Sequence, residues 1–170
     1  MKQFPLVIYP NPLLKEKSLE VKRITPSVAK ALSRMGYTMD RNEGVGLAAP
    51  QVGIAERMII VKDADANHVF LNPRIVKMAK KRETDEEGCL SLPGIFLKIR
   101  RAKEVEVEAH TISGEKVLIR AEGLGARIFQ HEIDHLNGLL IIDRISPLAK
   151  FKIRKQLKKL AHEHRAKTSV

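Results

Sequence analysis

The chain has 170 residues, 44% hydrophobic and 30% charged, a length that fits one domain able to fold without disulfides. A single cysteine, Cys89, rules out an internal disulfide, and no stretch approaches the roughly 18 apolar residues of a membrane span. The net charge of +11 points to an anionic partner, and it is mostly a tail property, because Lys150 to Val170 holds eight Lys or Arg against one Glu.

The start is broken by Pro5, Pro10 and Pro12 and carries no apolar core before a small-residue cleavage site, so no secretory signal is read. The simplest expectation is a bacterial cytoplasm, with an organelle as the alternative. Thr25-Pro26 places a capping hydroxyl before a proline suited to a first helical turn, and Val28, Leu32, Met35 and Met39 then form one apolar stripe. Gly44-Val45-Gly46-Leu47-Ala48-Ala49-Pro50-Gln51 reads as a loop with close backbone approach. Met58 to Val61, Phe70-Leu71, Ile75 to Met78 and Ile95 to Ile99 read as strands, as does the alternation of Val105, Val107 and Ala109 with Glu104, Glu106 and Glu108. Ser113-Gly114 then turns an antiparallel hairpin into Lys116 to Ile119. A second helix is expected from about Leu124 to Asn137, stopped by Gly138. A last, basic helix is expected from about 147 to 165, with Ile153, Leu157, Leu160 and Ala161 on one face. Strands in the middle flanked by helices predict a single α+β domain over 1–170, with mostly antiparallel sheets around the second helix.

That helix carries His131-Glu132-Ile133-Asp134-His135, an H-E-x-x-H pentad. Residues four apart on a helix lie about 40° apart in angle and about 6 Å along the axis, so both imidazoles reach one ion. Glu132 then sits beside the ion, placed to take a proton from metal-bound water without being a ligand. A catalytic site of this kind takes a third protein ligand. His162, Glu163, His164, Asp143 and Cys89 are the candidates, and Cys89, set among glycine and proline in Glu87-Gly88-Cys89-Leu90-Ser91-Leu92-Pro93-Gly94, is the strongest. A zincin-like peptidase would use the same pentad, but the H-x-x-G-x-x-H extension is absent. A basic nucleic-acid-binding protein with a structural metal would need a fourth ligand, and 4% aromatic content gives few stacking platforms.

Three segments together resemble the signature motifs of the peptide deformylases: Gly44 to Gln51, Glu87 to Ser91, and Gln130 to Gly138. They stand in the family order, and the resemblance runs over essentially the whole chain. It implies a hydrolase that removes the formyl group from the N-terminal formyl-methionine of new polypeptides. Cys89, His131 and His135 would hold one divalent metal, natively Fe2+, with Zn2+, Ni2+ or Co2+ able to replace it, and Glu132 would be the general acid/base. It further implies that the Gln51 amide and the Leu90 backbone N–H stabilise the oxyanion. Gly44, Gly46 and Gly88 would let the substrate backbone approach as an added strand, and Leu124 and Ile128 would line the methionine pocket, with the aliphatic part of Arg127 near its edge. Gly125 departs from the larger apolar residue usual in the family, which bears on the helix start and the pocket shape. Deformylases with a basic terminal helix also imply docking on the ribosome.

Overall fold

A computed structural model describes residues 1–64 and 66–168. Five strands form one antiparallel sheet in the order β1 (Gly46–Ala48), β2 (Met58–Asp63), β3 (Ala66–Met78), β6 (Glu104–His110), β7 (Lys116–Glu122). A second sheet is the hairpin of β4 (Arg82–Glu87) and β5 (Leu97–Ala102). Helix α1 (Pro26–Arg41), capped by the Thr25 hydroxyl, buries Val28, Leu32, Met35 and Met39 as its stripe predicts. These residues meet Met58 and Ile60 on one face of the large sheet, while Ile59 and Val61 meet α2 (Gly123–Leu136) on the other. A strand covered on both faces has no polar side, which is why Met58 to Val61 reads as an unbroken apolar run. Strand β6 is covered on one face only and therefore alternates, with Val105 and Val107 packed beneath α2.

Helix α2 is central because the small sheet closes its remaining side through polar groups. Gln130 acts as an extra strand edge, accepting from the Ala102 N–H and donating to the Ala102 carbonyl, both at 2.9 Å. Gly138, with φ of 73°, ends this helix; a Cβ there would stand 2.3 Å from the Lys15 carbonyl oxygen, so both conformation and space require glycine. The N-terminal segment runs across these parts as a strap. The Val7 N–H donates to the Gln51 carbonyl, that of Tyr9 to Ser91, and that of Ser18 to Leu136.

Several elements differ from expectation. The glycine-rich stretch is the short edge strand β1 followed by a 3-10 turn, Ala49–Val52, because its small side chains allow packing on both faces. Phe70-Leu71 and Ile75 to Met78 belong to one strand, carried past Pro73 by a bulge at Asn72 (φ 51°), whose amide brackets the Val21 backbone. Strand β4 gives no alternating signal, since only Glu87 of Arg82–Glu87 is buried. Strand β5 starts at Leu97, with Ile95 left in the preceding turn. The basic terminal helix is α3 (Pro147–Lys152) and α4 (Arg154–Thr168), joined at Ile153 with ψ near 0°. Leu157 anchors it among Leu14, Leu92, Ile99 and Ile141. Lys152, Arg154, Lys155, Lys158 and Lys159 are exposed, and the side chains of Arg165 and Lys167 lie outside the described ones.

Candidate metal centre and cleft

The ligand atoms of Cys89, His131 and His135 all lie within 4.8 Å of one another. Two elements supply them: the segment leaving β4 carries Cys89, and one face of α2 carries both imidazoles, as the four-residue spacing requires. Cys89 Sγ is 3.2 Å from His135 Nε2. His131 Nδ1 is bonded to Glu87 Oε2 at 3.0 Å, which leaves its Nε2 for an ion. One sulfur and two imidazole nitrogens suit a divalent late first-row metal, and a three-ligand set suits an open catalytic site. His162, Glu163 and His164 are on α4 and are not brought to this cluster among the described residues, nor is Asp143.

Electrostatics prepare the donors. Burial pushes His135 well below the ordinary imidazole value, so it is neutral and ready to ligate. For His131 burial acts downward, but hydrogen bonds with Cys89 and Glu87 outweigh it and hold the group well above that value, so metal entry displaces a proton. Burial likewise raises Glu87, yet hydrogen bonds from His131 and Arg101 bring it down to about 2.

Glu132 is 3% exposed, and its Oε2 has no hydrogen-bond partner among the described residues. Burial pushes its carboxyl up to about 7, the range in which a group both accepts and returns a proton. Gln51 is fixed by the Ala48 N–H, which donates to Oε1 at 2.8 Å and turns Nε2 toward Cys89 Sγ, 3.5 Å away.

Gln51, Glu87, Cys89, His131 and Glu132 line a cleft of about 530 Å³, with His135 buried beneath it, and the cleft also takes in Gly44, Gly46, Gly88, Leu90, Leu124, Arg127 and Ile128. Gly46 makes room for Glu132, because a Cβ there would stand 2.4 Å from Oε1, and Gly88 makes room for the Phe96 ring at 2.9 Å. Ile128 is buried in the core as well as lining the cleft, whereas Leu124 is 64% exposed at the rim, which removes helix core as an explanation for it. Gly125 lies in the first turn of α2, where N–H groups lack intrahelical partners in any case, and the helix starts at Gly123 despite it. A Cβ on Gly125 would meet only Ala121 Cβ, at 3.8 Å.

Sequence reasoning missed the support around the cluster. Arg127 Nη1 donates to Glu87 Oε1 at 2.7 Å and to the Ile99 carbonyl at 3.0 Å. Asp134 is not part of the metal cluster and is buried against Arg101 and Arg144. A buried arginine within a strand is a signal that a carboxylate partner exists, but it does not identify the partner.

Comparison with known proteins agrees with this geometry. A family model described as polypeptide deformylase matches residues 3–151. The peptide deformylase of Desulforudis audaxviator is 44% identical over 153 residues, 89% of this chain and 99% of that one. The crystal structure of peptide deformylase from Thermotoga maritima superposes with a TM-score of 0.84 at 41% identity, covering 86% of this chain and 100% of that one. A plant peptide deformylase structure gives a TM-score of 0.93 at 33% identity, covering 100% of this chain and 95% of that one.

Proposed function

We propose a residue-level mechanism for this chain, which belongs to the polypeptide deformylase family and is thus a metal-dependent hydrolase that removes the formyl group from new polypeptides. The observation that carries the mechanism is the Cys89, His131, His135 cluster at the base of a cleft with the buried Glu132 carboxylate beside it. Cys89, His131 and His135 hold the ion, which we infer to be Fe2+ natively and replaceable by Zn2+, Ni2+ or Co2+. When bound, the metal supplies Lewis-acid polarisation and acidifies water toward neutral pH. Glu132 removes a proton from the attacking water and delivers it to the methionine nitrogen as the C–N bond breaks, giving formate and a free amine. The Gln51 amide and the Leu90 N–H donate to the oxyanion that develops on the formyl oxygen. The free edge of β1 accepts the peptide as an added strand along Gly44 and Gly46, and Gly88 lines the same cleft with the Phe96 ring in the space a side chain would take. Leu124 and Ile128 contact the methionine side chain.

The zincin-like reading is not favoured, since the candidate third ligand is a cysteine upstream of the pentad and the family match covers most of the chain. We assign residues 1–170 to one catalytic domain working in a bacterial cytoplasm. Among the described residues no helix is long and apolar enough to cross a membrane. The exposed lysines and Arg154 of α3 and α4 support docking on ribosomal phosphate. The test is formate release from formyl-Met-Ala-Ser by the full chain kept anaerobic, with metal analysis. Wild type should release formate, and Glu132→Gln should keep its metal and lose about 10² to 10⁴-fold in turnover. Near-normal turnover in Glu132→Gln would remove the acid/base assignment.

A further inference from the structure

Arg101, on β5, has side-chain exposure of only 5% and bridges two buried carboxylates from different elements. Its Nε and Nη2 donate to the two oxygens of Glu87 at 2.9 and 3.0 Å, and its Nη1 donates to Asp134 Oδ2 at 2.5 Å. Glu87 is the last residue of β4, two before Cys89, while Asp134 lies on α2 between His131 and His135. One planar guanidinium therefore joins the segment that supplies the sulfur to the helix that supplies both nitrogens. We propose that Arg101 is a positioning residue that sets the separation of Cys89 from the two histidines, and so the affinity of the centre for its metal. The inference rests on the metal reading above.

The chemistry of the fork is what makes this more than charge balance. A guanidinium offers five N–H donors in a fixed plane, so fastening Glu87 through two of them fixes where a third points. At Arg101 that third donor meets Asp134, which fixes the end of β4 relative to the middle of α2. The surroundings are nearly dry, with Glu87 and Asp134 side chains 4% and 9% exposed, so the contacts are little screened by solvent. Arg127 and His131, both on α2, bond Glu87 directly, and Arg144 bonds Asp134, but among the described residues only Arg101 fastens both carboxylates in one plane. A lysine would keep the positive charge yet present a single ammonium on a flexible stem, unable to hold both carboxylates in one geometry.

The experiment uses full-length protein loaded with Co2+, read by chelator competition and by the thiolate-to-cobalt charge-transfer band. Arg101→Lys should lower Co2+ affinity by about 10 to 100-fold, the usual effect of losing an outer-sphere partner, and should weaken the thiolate band. Asp134→Asn, which removes the charge and one of the two acceptor oxygens shared by Arg101 and Arg144, should act in the same direction. Leu71→Ala serves as a control: it lowers Tm from the core side of β3, which supplies no residue to the cluster, and should leave Co2+ affinity unchanged. Wild-type affinity and band in both Arg101→Lys and Asp134→Asn would overturn the proposal, and so would an equal loss of affinity in Leu71→Ala. Absence of a thiolate band in wild type would instead overturn the metal reading, and the positioning role with it.

Discussion

Replacing Gly46 by alanine adds a single methyl group, and the structure says where it goes. It would stand 2.4 Å from Glu132 Oε1, 2.9 Å from Glu132 Cδ and 2.8 Å from Ile128 Cγ2. Gly46 is not among the residues with positive φ, so alanine suits its backbone and the conflict is one of space. Ordinary contact begins near 3.4 Å. The carboxylate must therefore retreat by about 1 Å, a misplacement that typically costs about 10²-fold in rate. Complete loss of acid/base help would cost about 10² to 10⁴-fold, so the variant should fall near the lower end of that range. Glu132 is not among the metal-cluster residues, so metal content should stay at the wild-type level. The assay is kcat and KM for formate release, with metal measured on the same sample. Gly44→Ala is the comparison: its Cβ would meet Met39 Cγ at 3.0 Å and Leu90 Cδ1 at 3.1 Å, side-chain atoms that can yield, so its effect on kcat should be smaller. Unchanged kcat in fully metallated Gly46→Ala would refute the reasoning about Glu132. A rise in KM alone would show that Gly46 acts by admitting the peptide.

Gln51→Leu should lower kcat by roughly 10² to 10³-fold at unchanged metal content, whereas a change confined to KM would make Gln51 a binding residue. Glu87 has a folded value of about 2 against an ordinary 4.5, so its contribution to stability is complete above about 4.5 and disappears as pH falls toward about 2. Thermal unfolding of metal-free protein between those values should therefore show a steeper fall of Tm in wild type than in Glu87→Gln, and parallel curves would contradict the assignment. Replacing Lys152, Arg154, Lys155, Lys158 and Lys159 by glutamine should abolish salt-sensitive co-sedimentation with ribosomes and spare hydrolysis of a short formyl peptide. Neutralisation is preferable to truncation because Leu157 is a core residue, and equal co-sedimentation by the variant would leave the helix as a structural cap.

Elements with one covered face are legible in the sequence through their period, and β2, covered on both faces, through its unbroken apolar run. The stripe of α1, the alternation of β6 and the Ser113-Gly114 turn each follow from a local rule, and the pentad spacing is itself a helix argument. Strand β4 was hidden because its stabilising partners are the β5 backbone and the arginines of other elements, which leave no period in Arg82–Glu87. Phe70-Leu71 and Ile75 to Met78 read as two strands, and only the distant Val21 backbone, held by Asn72, shows how one strand continues through them. At the site, the residue types and spacing pointed to Cys89, His131, Glu132 and His135. Glu87 stood inside a recognised motif, but its role depends on Arg101 and Arg127, which lie 14 and 40 positions away and carry no mark of the pairing.

The N-terminal strap has a consequence for how the enzyme comes into being. Val7, Tyr9 and Ser18 are made before their partners Gln51, Ser91 and Leu136, which fall one in each of the three motif segments. Closing such long loops is entropically costly and is recovered only when the distant segments are present, so these contacts form late in folding. During translation the Ser18 contact must wait until α2 has emerged. Until α2 has been made, the nascent chain therefore has no finished centre.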